Sequence, residues 1–159
     1  MSNPRIVPAT ESDIPIILNL IRALAEYEKL AHLVVATPER LRATLFGAKP
    51  AAEVLLAHWE HECVGFAVFF PTYSTFLAQP GLYLEDLYVK PNWRDKGIGS
   101  ALLKHLARIA MERGCGRLHW AVLDWNQPAI QFYKKLGAVP MDEWTEYSLS
   151  GEALKSLAN

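Results

Sequence analysis

Residues 82–103 constrain the fold of this chain more than any other stretch. An apolar run interrupted by Glu85 and Asp86 stops at Pro91, whose ring removes a backbone donor and disfavours helix before it. A basic turn with two glycines, residues 94–99, follows. After it, apolar residues recur at helical spacing: Ile98, Ala101, Leu102, Leu106, Ile109 and Ala110. Strand, glycine turn and helix bring unpaired N–H groups and a positive dipole end to one point, which predicts a site for an anion such as a pyrophosphate.

The composition is that of an ordinary globular domain. The 159 residues are 51% hydrophobic and 21% charged, and they predict one domain spanning 1–159. A net charge of −1 gives no reason to expect nucleic acid or an anionic membrane as a partner. Two cysteines, Cys63 and Cys115, make no disulfide framework, so we expect a reducing compartment. Without a signal peptide or an apolar run of about 20 residues, the expected location is cytoplasmic.

The first half of the chain reads as strands and helices in alternation. We expect strands at 5–7, 54–59 and 63–70, helices at 10–30 and 37–46, and a loop at 71–81 before the central strand. Thr10 and Thr37 fit helix caps. His58 and His61 lie near the predicted hairpin turn. Because a metal site needs at least one more ligand there, we interpret both as solvent-facing turn residues and expect no metal.

The second half continues the alternation. Gly114 fits a left-handed helix cap, and residues 117–123 predict a strand buried on both faces. Asn126 fits the cap of a further helix, with Pro128 in its first turn and Gly137 after its end. A final strand at 144–149 and a short helix at 151–158 complete the expected elements. This order predicts an α/β domain.

The turn at 94–99 matches neither common phosphate loop, since it lacks both the Gly-Lys-Ser/Thr sequence and the three-glycine dinucleotide fingerprint. Together with a second segment, 126–137 (Asn-Gln-Pro-Ala-Ile-Gln-Phe-Tyr-Lys-Lys-Leu-Gly), it resembles the GNAT superfamily of acetyl-CoA-dependent N-acetyltransferases. The stretches 84–89, 124–126, 132–134 and 25–28 are similar to its spermidine/spermine (diamine) branch. The resemblance implies an α/β GNAT fold. Its central mixed, mostly antiparallel sheet would be flanked by helices and splayed at the coenzyme-binding strand.

The resemblance also implies where acetyl-CoA binds. Main-chain groups of Leu87, Tyr88 and Val89 would pair with the pantetheine arm like an added strand. The residues implied to hold the pyrophosphate are Arg94, Asp95, Lys96, Gly97, Ile98 and Gly99, and those implied to touch the arm are Asn126, Pro128 and Ala129. Asp95 departs from the branch, which more often has glycine there.

The implied reaction needs a base and an acid. Deprotonating an alkylammonium of pKa near 10.4 at pH 7 costs about 4–5 kcal/mol. Glu85, set in an apolar strand, is the candidate base. Without the family resemblance, the same residue would fit a surface acid that forms an ion pair. A main-chain N–H near Leu87 suits the oxyanion. Tyr133 is the candidate hydrogen-bond donor to the departing thiolate. Without the family resemblance, it would fit a core residue on the apolar face of its helix. A cysteine acyl-enzyme through Cys63 or Cys115 is the competing mechanism.

The expected substrate is a small primary amine of polyamine or diamine type. The residues expected to bind it are Tyr27, Glu28, Glu85, Asp86 and Asp142, although residues 26–28 alone would fit a solvated helix end. The branch implies a site shared across a homodimer. The alternatives are an acetyltransferase for a lysine-like amino acid such as thialysine, and a non-catalytic acetyl-CoA-binding regulatory module.

Overall fold

The computed structural model describes residues 3–159, which fall into two compact units, one ending at Ala121 and one comprising Val122–Asn159. The first unit contains β1 Arg5–Pro8, α1 Ile14–Tyr27, α2 Pro38–Leu45, β2 Glu53–Trp59, β3 Glu62–Ser74, β4 Gln79–Val89, α3 Ile98–Glu112 and β5 Leu118–Trp120. The second contains α4 Gln127–Lys135 and α5 Gly151–Ala158. Short 3-10 turns lie at Glu11–Asp13, Ala31–Leu33 and Pro91–Trp93.

The five strands form one sheet in the order β1-β2-β3-β4-β5. The first three pairings are antiparallel and the last, β4 with β5, is parallel. The sheet is therefore mixed and mostly antiparallel, which confirms the expected fold class. Short turns connect β2 to β3 and β3 to β4, α1 and α2 lie between β1 and β2, and the parallel pair has the crossover that α3 supplies.

Apolar helix faces cover the sheet. Ile14, Ile17 and Leu18 of α1 are buried in one cluster with Phe66 of β3 and Val54 of β2. The buried face of α3 consists of Ile98, Leu102, Leu103, Leu106 and Ala110. Truncating a fully buried phenylalanine such as Phe66 to alanine costs about 3–5 kcal/mol, so this cluster fixes how the strands lie under the helices.

Helix starts follow the expected chemistry. The N–H of Thr10 donates to the Asp13 carboxylate at 2.7 Å, and Thr37 Oγ1 accepts the N–H of Arg40 at 3.2 Å. The end of α1 differs, because the helix stops at Tyr27 and Lys29 takes a positive φ of 61°, a left-handed angle that α-helix excludes.

The expected loop at 71–81 was wrong. Most of it belongs to a long hairpin in which Ser74 pairs with Gln79, closed by a turn between those residues. Pro71 is tolerated because β2 pairs with β3 only as far as Phe69, so the last residues of β3 have a strand on one side alone. A stacked pair, Phe70 on Tyr83 at 5.2 Å between ring centroids, stabilises this extension.

Two strand predictions also need correction. Only Leu118–Trp120 of the expected strand 117–123 is a strand, and its residues are half-buried rather than buried on both faces. Residues 144–149 form no strand within the described chain, since they pair with no other segment there and expose large side chains such as Trp144 and Tyr147. The prediction that His58 faces solvent was also wrong, because its side chain is half-buried within β2. His61 is exposed as expected.

None of the helices within residues 3–159 has the length and hydropathy that a bilayer crossing requires.

Candidate active site

The central strand has a free edge. The parallel partner β5 pairs only with Leu82–Leu84 of β4, and from Glu85 to Val89 the strand has a described partner on the β3 side alone. This is the splay that the fold class implies. A row of unpaired N–H and C=O groups can accept an extended ligand as an added strand. Leu87, Tyr88 and Val89 lie on this edge, as the coenzyme prediction requires.

A β-bulge sits at the start of that edge. Val68 of β3 pairs with Asp86 and the next residue, Phe69, pairs with Leu84, so Glu85 is the extra residue. Bulges turn side chains away from the regular alternation and are frequent beside active sites. The Glu85 side chain is exposed, although it stands in a mostly apolar strand.

Asp86 is the more perturbed acid. It lies two residues before the buried Tyr88, so both side chains belong to the sheet face that α1 covers. Burial raises the pKa of Asp86 to about 6, and the negative charges of Glu85 and Glu28 add to the shift. Burial also raises the pKa of Glu28. Three of the five residues expected to bind the amine therefore act electrostatically on one another.

The turn before α3 has the backbone that an anion site needs. Gly97 precedes the helix with a φ of 78°, and a Cβ built there would meet no atom within 4 Å. The first N–H groups of a helix lack partners within it, and here they follow this open position. Asp95 also takes a left-handed φ of 61°, an angle that glycine adopts without strain. These residues fit a pyrophosphate.

Arg94 ties the turn to two other elements. Its Nε donates to the Val89 carbonyl oxygen at 3.0 Å. Its guanidinium carbon lies 4.6 Å from the centre of the Tyr27 ring and 5.6 Å from that of Tyr88. Arg94 thus joins the end of β4 to the end of α1, directly before Glu28. The Tyr27 ring, expected to face a cation of the substrate, has one of the chain's own cations over it.

The second unit carries the other candidate residues. Asn126 is buried, and its Oδ1 accepts the N–H of Ala129 at 3.4 Å, as expected for the cap of α4. Tyr133 is half-buried on the same helix, and the centre of its ring lies 5.6 Å from that of Phe132. Pro128 lies in the first turn and is exposed. Asp142 is exposed in a stretch without regular structure.

The competing cysteine mechanism would use Cys63 or Cys115. Cys63 is buried, and burial raises the pKa of its thiol, which makes it a poor nucleophile at neutral pH. Cys115 is half-buried. Within the described chain, no three His, Cys, Asp or Glu residues lie together as metal ligands would.

Comparison with known proteins shows the family of this chain. The sequence matches the Acetyltransferase (GNAT) family over residues 20–138. It is 41% identical to the thialysine N-epsilon-acetyltransferase of Mus musculus, over 99% of both chains. It is 33% identical to an L-ornithine N5-acetyltransferase of Arabidopsis thaliana, over 96% of this chain and 87% of that one.

Two further similarities concern the branch and the fold. The chain is 32% identical to spermidine/spermine N(1)-acetyltransferase-like protein 1 of Homo sapiens, over 94% of this chain and 23% of that one. Among solved structures, an integron cassette protein from the mobile metagenome of V. cholerae superposes with a TM-score of 0.82 at 28% identity, covering 99% of this chain and 98% of that chain.

Proposed function

The chain belongs to the GNAT family and is an N-acetyltransferase, and we propose that it moves the acetyl group of acetyl-CoA to the side-chain amine of a small lysine-like amino acid. The observation that carries this proposal is the identity of 41% to a thialysine N-epsilon-acetyltransferase along 99% of both chains. A relative named for ornithine, also an amino acid with a side-chain amine, supports the same substrate class.

This proposal places the amino acid ahead of the polyamine that the sequence alone favoured. The relative named for spermidine and spermine is 32% identical, below the 41% of the thialysine enzyme. The ring of Tyr27 also supports the change. Because the Arg94 guanidinium lies 4.6 Å from its centre, that ring face is a poor place for the second ammonium of a diamine.

We assign the donor to the free edge of β4 and the turn at 94–99. An extended pantetheine arm fits the edge of β4 at Leu87, Tyr88 and Val89 that faces away from β3, and the pyrophosphate fits the helix start after Gly97. On that edge the Val89 carbonyl oxygen already accepts the Nε of Arg94. In this assignment the thioester lies near the bulge at Glu85. The contacts proposed for Asn126, Pro128 and Ala129 rest on the resemblance of segment 126–137.

The acidic residues bind the amine substrate and accept its proton. At pH 7 a lysine-like ammonium carries its proton, and removing it costs about 4–5 kcal/mol. Glu28, Glu85 and Asp86 stabilise the incoming cation, and Glu85 accepts its proton directly or through a water. Asp86 has a pKa of about 6, which lies close to neutral pH. It can therefore both accept that proton and release it to solvent, as a proton relay must.

The remaining steps keep atoms and charges balanced. The deprotonated nitrogen forms the new N–C bond, and a main-chain N–H near Leu87 stabilises the oxyanion. The C–S bond then breaks as the nitrogen gives up its second proton, which passes through solvent to the leaving thiolate. The thiolate receives a proton or hydrogen bond from Tyr133, a role that rests on the motif in α4. A phenol of pKa near 10 is a weaker acid than a thiol near 8.5, so Tyr133 stabilises the sulfur more than it protonates it.

Assembly and location are further parts of the proposal. The resemblance to the diamine branch supports a homodimer, and the two free cysteines support a cytoplasmic location. Light scattering after size-exclusion chromatography tests the first: a mass near twice the 17.9 kDa of one chain supports it, and the mass of a single chain refutes it.

Thiol release from acetyl-CoA tests the function. Thialysine, ornithine and lysine are compared with spermidine and with cadaverine, which is lysine without its carboxylate. We expect the highest kcat/KM among the amino acids and a clear loss for cadaverine. A preference for spermidine or cadaverine would refute the amino-acid substrate, and no thiol release with any amine would refute the use of acetyl-CoA.

A further inference from the structure

Arg94 places a positive charge beside the residues proposed to bind the amine. Its guanidinium carbon lies 4.6 Å from the centre of the Tyr27 ring and 5.6 Å from that of Tyr88, and its Nε donates to the Val89 carbonyl oxygen at 3.0 Å. These contacts are with α1 and β4, not with the helix start at residues 97–99. The side chain can therefore bind a different ligand from the one that the main chain of its turn is proposed to hold.

The guanidinium of Arg94 has donors left over. An arginine carries five N–H donors in one plane, and within residues 3–159 only the Nε of Arg94 donates a hydrogen bond. In the same part of the chain the half-buried Arg94 joins none of the four ion pairs, although Glu28 directly follows Tyr27. Charges withdrawn from water are normally paired. The Nη1 and Nη2 groups form a fork that matches a carboxylate, and arginine can present this fork while it stacks on an aromatic face.

The charges around Arg94 fit an amino acid better than a diamine. Asp86 shares a strand face with Tyr88, and the negative charges of Glu85 and Glu28 act on Asp86. The site therefore offers a group of acids with a cation beside it. An amino acid with a side-chain amine brings an ammonium for the acids and a carboxylate for the cation, whereas a diamine brings two ammonium groups.

The dimensions agree with this pairing. An extended lysine spans about 7–8 Å from its side-chain nitrogen to its carboxylate carbon. Strand residues rise about 3.3 Å each, so the backbone of Tyr88 stands about 10 Å from that of Glu85 along β4. Because the guanidinium lies 5.6 Å from the Tyr88 ring, the side chains of Glu85 and Arg94 can reach opposite ends of one substrate.

We propose that Arg94 binds the α-carboxylate of the amine substrate and thereby selects amino acids over diamines. The inference rests on the proposed function and adds to it the residue that sets its specificity.

The test uses two amines that each lack one group of lysine. 6-Aminohexanoate keeps the carboxylate without the α-amine, and cadaverine lacks the carboxylate. With saturating acetyl-CoA, the wild type should use 6-aminohexanoate with a kcat/KM about 10- to 100-fold above that of cadaverine, the size expected for charge-assisted hydrogen bonds. In Arg94→Gln this ratio should fall by about 10-fold or more, mainly through a higher KM for 6-aminohexanoate.

The ratio is the readout because Arg94 also stands in the turn assigned to the donor. Weaker binding of acetyl-CoA lowers activity with both amines alike, whereas loss of a carboxylate partner lowers it with 6-aminohexanoate alone. A matched control, Arg22→Gln, removes one positive charge from an exposed position of α1 and should keep the wild-type ratio.

The outcomes separate this inference from the proposed function. An Arg94→Gln protein that keeps the wild-type ratio while its KM for acetyl-CoA rises overturns the inference and assigns the side chain to the donor. A wild type that uses cadaverine better than 6-aminohexanoate also overturns it, whether or not Arg94→Gln folds. If the wild type prefers lysine to cadaverine and Arg94→Gln keeps that preference, the inference fails and the proposed function stands. A wild type that releases no thiol with any amine overturns both.

Discussion

Replacing Asp86 by asparagine should stabilise the protein at neutral pH. The carboxylate of Asp86 is costly to ionise in the folded chain because burial removes its water and because Glu85 and Glu28 carry the same charge. Asparagine keeps the size of the side chain and its polar oxygen but cannot ionise. The variant therefore isolates the free energy stored in this one charge.

The size follows from the pKa. It rises from 3.8 in the unfolded chain to about 6 in the folded one, and at 1.36 kcal/mol per unit this corresponds to about 3 kcal/mol as an upper limit. Between these values the folded state binds more protons than the unfolded state, so the free energy of unfolding falls as pH rises. Below pH 4 the penalty is absent, and above pH 7 it is complete.

Thermal unfolding of wild type and Asp86→Asn across pH 4–8 measures the effect. The Tm difference should grow in favour of the variant through pH 4–6 and reach about 6–12 °C above pH 7, at 2–4 °C per kcal/mol for a chain of this length. Comparing the variant with wild type at each pH cancels the pH dependence that other groups contribute to both proteins. Glu53, whose pKa the hydrogen bond from Arg113 lowers, is one such group.

The control is Asp142→Asn, at an exposed position, whose Tm difference from wild type should stay nearly constant with pH. A constant difference for Asp86→Asn as well would refute a perturbed Asp86. A variant that becomes less stable at pH 7 than at pH 4, relative to wild type, would show that the charge is stabilised rather than strained.

Three further substitutions test the site. Gly97→Ala should cost about 1 kcal/mol of stability, since φ is 78°, and should raise the KM for acetyl-CoA; an unchanged KM would remove the turn from donor binding. Glu85→Gln should lower kcat/KM for the amine by about 10²–10⁴ at pH 7 with acetyl-CoA binding unchanged, and wild-type activity would exclude it as the base. Tyr133→Phe should lower kcat by about 10²–10⁴ with coenzyme affinity kept, and an unchanged kcat would remove Tyr133 from the mechanism.

Local chemistry was readable from the sequence. Helix caps at Thr37 and Asn126 depend on a hydroxyl or amide followed by helix, and both formed as expected. The turn before α3 was predicted because glycines stand between an apolar run that stops at Pro91 and a run with helical spacing. Gly97 indeed takes a left-handed angle, which glycine adopts without strain.

The hairpin of β2 and β3 was predicted, but the residue-by-residue register between strands was not readable. The bulge at Glu85 depends on which residue of β3 lies opposite, and no local pattern states that register. The hairpin beyond Phe70 was missed because Pro71, Pro80 and Gly81 are turn residues by composition. The contact of Arg94 with Tyr27 joins residues 67 positions apart and follows only from the packing of α1 on the sheet.

The central claim is that bare main chain of β4 and of the turn before α3 holds the donor. A crystal structure with CoA tests it most directly. We expect pyrophosphate oxygens about 3 Å from the main-chain nitrogens of residues 97–99, and pantetheine amides paired with Leu87 or Val89 on the free edge. A coenzyme bound away from that edge, with the turn at 94–99 unliganded, would contradict the account.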